Sequence, residues 1–138
     1  MQQDNQATVE RLTSAMNTGD LSTLASMVAG SVTDDFVEEW PQSGERIRGA
    51  EGVRRLAENY PQATGTNPRM RVRRVTGSGD VYTIEGVIDY GDGVPVSYIS
   101  IAELRDGRVA RMTEYFANPF EPPEWRSGMV ERMQPAAV

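Results

Sequence analysis

The segment TEYFANP near the end of the chain sets a glutamate among apolar neighbours. Successive side chains of a strand point to opposite faces. Glu114 therefore shares a face with Ala110, Met112 and Phe116, while Val109, Arg111, Thr113 and Tyr115 take the other. A carboxylate on an apolar face costs free energy unless it is paired or used. Two readings follow. Either Glu114 sits in a pocket with its pKa raised by desolvation, ready as a general acid or base, or an arginine satisfies it as a buried ion pair. Tyr98 and Tyr82 lie on the apolar faces of the two preceding strand-like segments. They are the expected catalytic companions, with hydroxyls for a ligand carbonyl or a developing oxyanion; packed as core, the same hydroxyls reach solvent or backbone. Trp40, Phe36, Tyr60, Met112 and Phe116 are the expected ligand-contacting residues, each also an ordinary core filler. The acidic pairs Asp34–Asp35 and Glu38–Glu39 invite a glycosidase or metal reading. Neighbours on a strand point apart, so neither pair converges on one atom without a bulge, and both are expected to be solvated strand charges.

Composition narrows the chemistry further. The 138 residues contain no Cys and no His, and all fourteen basic residues are Arg. Thiolate nucleophiles, Ser-His-Asp catalysis, imidazole or thiolate metal sites and Schiff-base lysines are thereby excluded. Acid/base work falls to Asp, Glu, Tyr or Arg, and no cofactor and no metal are implied. The net charge of −6 argues against nucleic acid as a partner. Arg69, Arg71, Arg73 and Arg74 form the single basic cluster, expected to protect an edge strand. No apolar run reaches membrane-spanning length, and MQQDNQATVE lacks a basic-then-apolar signal region. The expected location is the cytoplasm, away from membranes.

These side chains need elements to hold them. Val9, Leu12 and Met16 recur at helical spacing over 5–18, ended by Gly19, and Asp20 is placed to cap a second helix over 20–29. A strand from Val32 to Trp40, a Pro41–Gly44 turn and a return strand at 45–48 follow. AEGVRRLAENY reads as a third helix that Pro61 ends. Segments 69–76, 80–90, 94–105 and 108–118 alternate like strands and are separated by TGSGD, GDG and RDG turns, which favours antiparallel hairpins. A short helix from Glu124 and a mobile tail from about residue 131 complete the chain. No repeat or linker divides it, so 1–138 is expected to be a single domain. The fold class is α+β: a cone-shaped, curved antiparallel sheet with three helices from the N-terminal half across its open side. The interior of the cone is the natural ligand site.

This order resembles the nuclear transport factor 2-like superfamily, in particular its SnoaL-like branch of polyketide cyclases and ketosteroid isomerase-like proteins. EWPQSGERIRGAEGV at 39–53 and GRVARMTEYFANPF at 107–120 carry the resemblance. The first resembles the family's turn from opening strand into third helix; the second resembles its closing strand, where cyclase and phenazine-biosynthesis relatives hold an acid at the place of Glu114. The resemblance implies a small apolar or aromatic ligand, a homodimer formed through the outer sheet face, and one of two functions. One is a cofactor-independent acid/base cyclase, isomerase or dehydratase. The other is a non-catalytic hydrophobic-ligand-binding or assembly module. A shared fold does not choose between them.

Overall fold

A computed structural model describes residues 2–18 and 20–134. Its elements run α1 (Gln2–Thr18), α2 (Leu21–Ala29), β1 (Val32–Trp40), β2 (Glu45–Arg48), α3 (Gly49–Thr64), β3 (Arg69–Ser78), β4 (Val81–Asp89), β5 (Pro95–Arg105) and β6 (Arg108–Ala117), with a short 3₁₀ turn at Glu124–Arg126. Three helices lie over one face of a curved, unclosed sheet of six strands, as the sequence predicts. Gly19, the expected end of α1, lies outside the described residues, as does the tail beyond Gln134.

The helices obey their apolar stripes. Val9, Leu12 and Met16 of α1 and Ala25 and Val28 of α2 are buried. Asp20 caps α2, its carboxylate accepting the Thr23 N–H at 2.9 Å. Helix α3 corrects the expectation set by Pro61, because it continues through that residue to Thr64. Proline has a φ that fits a helix, and it forfeits only one hydrogen bond, here on an exposed position in the last turns. Gly65, at φ 72°, supplies the left-handed cap and donates its N–H to the Pro61 carbonyl at 2.8 Å.

The strand order is β2-β1-β6-β5-β4-β3. Every neighbouring pair is antiparallel except β1 with β6. That parallel pair follows from the path of the chain, which leaves the β1–β2 hairpin, crosses through α3 to the far edge and meanders back. Strand β3 forms the edge, with Arg69, Arg71 and Arg73 exposed along it.

Curvature is built from bulges. The β3–β4 register slips between Val72 and Arg74, and Asn17 of α1 accepts the Val72 N–H at 2.8 Å. Gly86 faces this bulge; a Cβ there would stand 2.6 Å from the Arg71 carbonyl oxygen. A second slip, between Val32 and Val37, turns Asp34 and Asp35 outward together. At the narrow end α1 staples two hairpin turns. The buried Asn5 amide donates to the Gly79 carbonyl at 3.0 Å and accepts the Gly107 N–H at 2.7 Å, while the Thr8 hydroxyl donates to the Gly107 carbonyl. Leu12, Phe36, Ile84, Ala102 and Val109 fill the core. Among the described residues, no helix is long and apolar enough to cross a membrane.

Candidate functional site

Between the sheet and helices α2 and α3 lies a cavity of about 290 Å³. Its walls are largely apolar, among them Leu24, Val53, Met70, Ile88, Met112 and Phe116. Polar groups enter at few points: Glu38, Trp40, Tyr98 and Glu114, Tyr60 and Tyr90, and Asp20 and Gln42. No arginine is among its lining residues.

Glu114 is buried on β6 beside Met112 and Phe116, on the face that strand alternation assigns to it. The Trp40 indole Nε1–H donates to its Oε1 at 3.0 Å, and the Tyr98 hydroxyl donates to its Oε2. Tyr98 is one of the two predicted companions, so strand parity finds this contact from the sequence. The aromatic donors are held in turn by Phe116, whose ring meets Trp40 edge-on at 6.1 Å and Tyr98 at 5.4 Å. No arginine satisfies Glu114, so the buried ion-pair alternative is set aside.

The structure corrects the reading of Glu38 as a solvated charge. It is buried and lines the cavity. In the β1–β6 register it stands opposite Met112, one side-chain row from Glu114. Glu39 alone faces outward, where it takes Arg46 across the β1–β2 hairpin and Arg111 of β6. The adjacent acids diverge as expected; the pair that converges is formed across strands. Parity was the available signal, since Glu38 shares the face of Phe36 and Trp40 just as Glu114 shares that of Met112 and Phe116.

Two carboxyls in one apolar site do not ionise together. Desolvation pushes Glu38 well above the ordinary carboxylate range, and the negative charge of Glu114 pushes it further. Desolvation also raises Glu114, but hydrogen bonds from Tyr98, Trp40 and Glu38 oppose it. Both carboxyls are thus held above the ordinary range, Glu38 further than Glu114, and the two titrate as a coupled pair. Burial, followed by the Glu114 charge, raises Tyr98 well above its usual value and keeps it a phenol. Toward α3, burial and the neighbouring Tyr60 phenol raise Tyr90 to about 12.

Ser100 stands opposite Glu114 in the β5–β6 register and is fully buried. Its hydroxyl lies near the Tyr98 phenol, yet it forms no hydrogen bond of ordinary geometry. Of the expected site residues, Trp40, Tyr60, Tyr98, Met112, Glu114 and Phe116 line the cavity. Tyr82 and Phe36 do not. Tyr82 pairs with Ala102, two strands across and one row toward the narrow end from Glu114, roughly 12 Å away by strand geometry, and packs as core. Phe36 is fully buried one row below Glu38. Parity assigns both residues to the right face but gives no depth along the cone.

Residues 9–112 match the SnoaL-like domain family, and the chain belongs to it. A nuclear transport factor 2-like protein of unknown function from Burkholderia xenovorans LB400 is 32% identical, with a TM-score of 0.74 over 96% of this chain and 97% of that one. A candidate ketosteroid isomerase from Kribbella flavida DSM 17836 shares the fold at TM-score 0.80 and 24% identity, over 96% and 92% of the two chains. A candidate polyketide cyclase from Sinorhizobium meliloti does so at 0.60 and 21% identity, over 78% and 93%. No functionally curated protein matches the chain.

Proposed function

We propose that the protein is a cytoplasmic, single-domain homodimer that binds a small, neutral, largely apolar molecule in the cone and performs cofactor-independent acid/base chemistry on it. One observation carries the proposal. Glu114 is buried on the wall of an open cavity, oriented by Trp40 and Tyr98 and paired with a second carboxyl, Glu38. A single carboxylate whose hydrogen bonds were all structural would need no cavity and no protonated neighbour.

Glu114 is the base. Its carboxylate takes a proton from an activated C–H or O–H of the ligand, and Glu38 supplies one to the oxygen that gathers charge or departs. The chain ends with Glu114 protonated and Glu38 ionised; transfer between the two carboxyls restores the starting state. No electrons are gained or lost, so the scheme covers cyclisation, isomerisation and dehydration. The names of the Kribbella and Sinorhizobium proteins fall within that range. Tyr98 and Trp40 position Glu114, and the apolar walls exclude water, which strengthens each of these contacts.

The test begins with ligands that raise the melting temperature, drawn from neutral aromatic polyketides, steroids and terpenoids. Turnover of a stabilising ligand should fall by roughly a hundredfold or more in Glu114→Gln and in Glu38→Gln, with binding retained. Binding without turnover in the parent protein would leave a carrier of hydrophobic molecules in place of an enzyme.

A further inference from the structure

After β6 the chain runs as an arm, residues 118–134, that includes only one short 3₁₀ turn. The arm carries Phe120, Trp125, Met129, Val130 and Met133, which are 77%, 74%, 71%, 50% and 88% exposed. Its hydrogen bonds, among the described residues, close within itself: Arg126 to Pro123, Ser127 to Glu124 and Met129 to Arg126. The body of the domain does not cover these side chains. Together they present on the order of 500–900 Å² of surface, taking large side chains at ~150–250 Å² each when fully exposed. That range includes the ~800 Å² that one partner buries in a stable complex. Water is a poor neighbour for such a segment.

The same chain carries a surface to match it. On the outer face of the sheet, Ile99 and Tyr115 are paired across β5 and β6, and both are exposed; Val81 is exposed on β4. Charged pairs ring them, with Arg74–Glu85 on one side and Arg111–Glu39 and Arg105–Asp35 on the other. An apolar centre with a charged rim is the anatomy of a protein interface. The edge strand adds exposed Arg69, Arg71 and Arg73, of which Arg69 and Arg73 also feel Asp20 and Glu85 of their own chain, and the arm brings Glu121, Glu124 and Glu131 against its own Arg126 and Arg132. Both halves of the contact occur on one polypeptide, so a two-fold axis satisfies each of them twice.

We infer that the C-terminal arm of one copy docks on the outer sheet face and basic edge of a second copy, latching the dimer with Trp125 and Phe120 as its anchors. The inference rests on the homodimer proposed above and adds the segment that holds it. Sedimentation at micromolar concentration tests it. The parent protein should run at the mass of two chains, and Trp125→Ser combined with Met129→Ser should weaken the association at least about tenfold while the far-ultraviolet spectrum stays folded. The absence of cysteine allows a second readout. A tagged chain bearing Ser127→Cys, mixed with an untagged chain bearing Ser97→Cys, should form a mixed disulfide between chains. A parent protein of one-chain mass overturns both the dimer and the latch. A two-chain mass unmoved by the double substitution overturns the latch alone. An intrachain disulfide in Ser127→Cys with Gln42→Cys, without the interchain product, shows that the arm straps its own cavity mouth and also overturns it.

Discussion

Glu38 links the proposed chemistry to a stability measurement. Its folded-state pKa is raised, so the folded chain holds this proton more tightly than the unfolded one. The resulting stabilisation is fully present below the ordinary glutamate value of 4.5 and is lost as pH rises from there through the raised folded value. Glu38→Gln removes that dependence. The melting temperature of the variant should exceed that of the parent protein at neutral pH, with the gap closing toward about pH 4; a gap that widens on acidification would show Glu38 ionised in the fold. Ser100 gives a second, independent check. A buried hydroxyl without a partner costs about 1–3 kcal/mol, so Ser100→Ala should stabilise the protein by about 1 kcal/mol in denaturant unfolding. A loss of similar size would mean that this hydroxyl is satisfied in solution. Glu114 is legible in the sequence because a lone acid interrupts an apolar alternation. Glu38 obeys the same alternation, but its neighbour Glu39 makes the two resemble one solvated charge run. Which acid partners which is decided by the β1–β6 register, and local sequence carries no record of that.

At the scale of elements, the cone depends on where strands bend and on what ties them. Gly86 faces the β3 bulge at a distance that admits no Cβ, 2.6 Å from the Arg71 carbonyl oxygen. Gly86→Ala should cost about 2 kcal/mol or more and displace Tyr98, its partner in the β4–β5 register, from Glu114. Chemical denaturation measures the first effect and ligand binding the second; an undisturbed variant would place the origin of the curvature elsewhere. Asn5 is the corresponding tie at the narrow end. Asn5→Ala leaves the Gly107 N–H and the Gly79 carbonyl without their partner and should destabilise by about 2–3 kcal/mol. The strands and their turns are readable because Gly-Asp and Asp-Gly punctuate clean alternation. Asn5 and Thr8 are not, since polar residues on a helix ordinarily mark its wet side. Their burial arises only when residues about a hundred positions away fold back against them. Pro61 misleads for a different reason: an exposed proline near the end of a helix forfeits one hydrogen bond and need not stop it, so α3 runs on to Thr64.

The whole molecule adds a field that no single residue shows. The net charge is −6, every basic side chain is an arginine, and none of the fourteen lines the cavity. The acids that line the cavity are Asp20, Glu38 and Glu114, and the buried carboxylate on which the proposed chemistry rests is that of Glu114. An anionic ligand about 5 Å from it meets a repulsion of about 3 kcal/mol at an effective dielectric constant near 20, roughly a hundredfold in affinity. A neutral ligand with a hydroxyl escapes that penalty and can donate to the same carboxylate. 2-Naphthol and 2-naphthoate nearly share a shape and differ in charge at neutral pH. The expected result is a clear rise in melting temperature with 2-naphthol and little or none with 2-naphthoate at equal concentration. The difference should shrink in Glu114→Gln, where the negative charge is gone but the cavity remains. Equal stabilisation by the two compounds would mean that ligands bind outside the reach of Glu114, and the acid/base proposal would lose its substrate site while the fold stood unchanged.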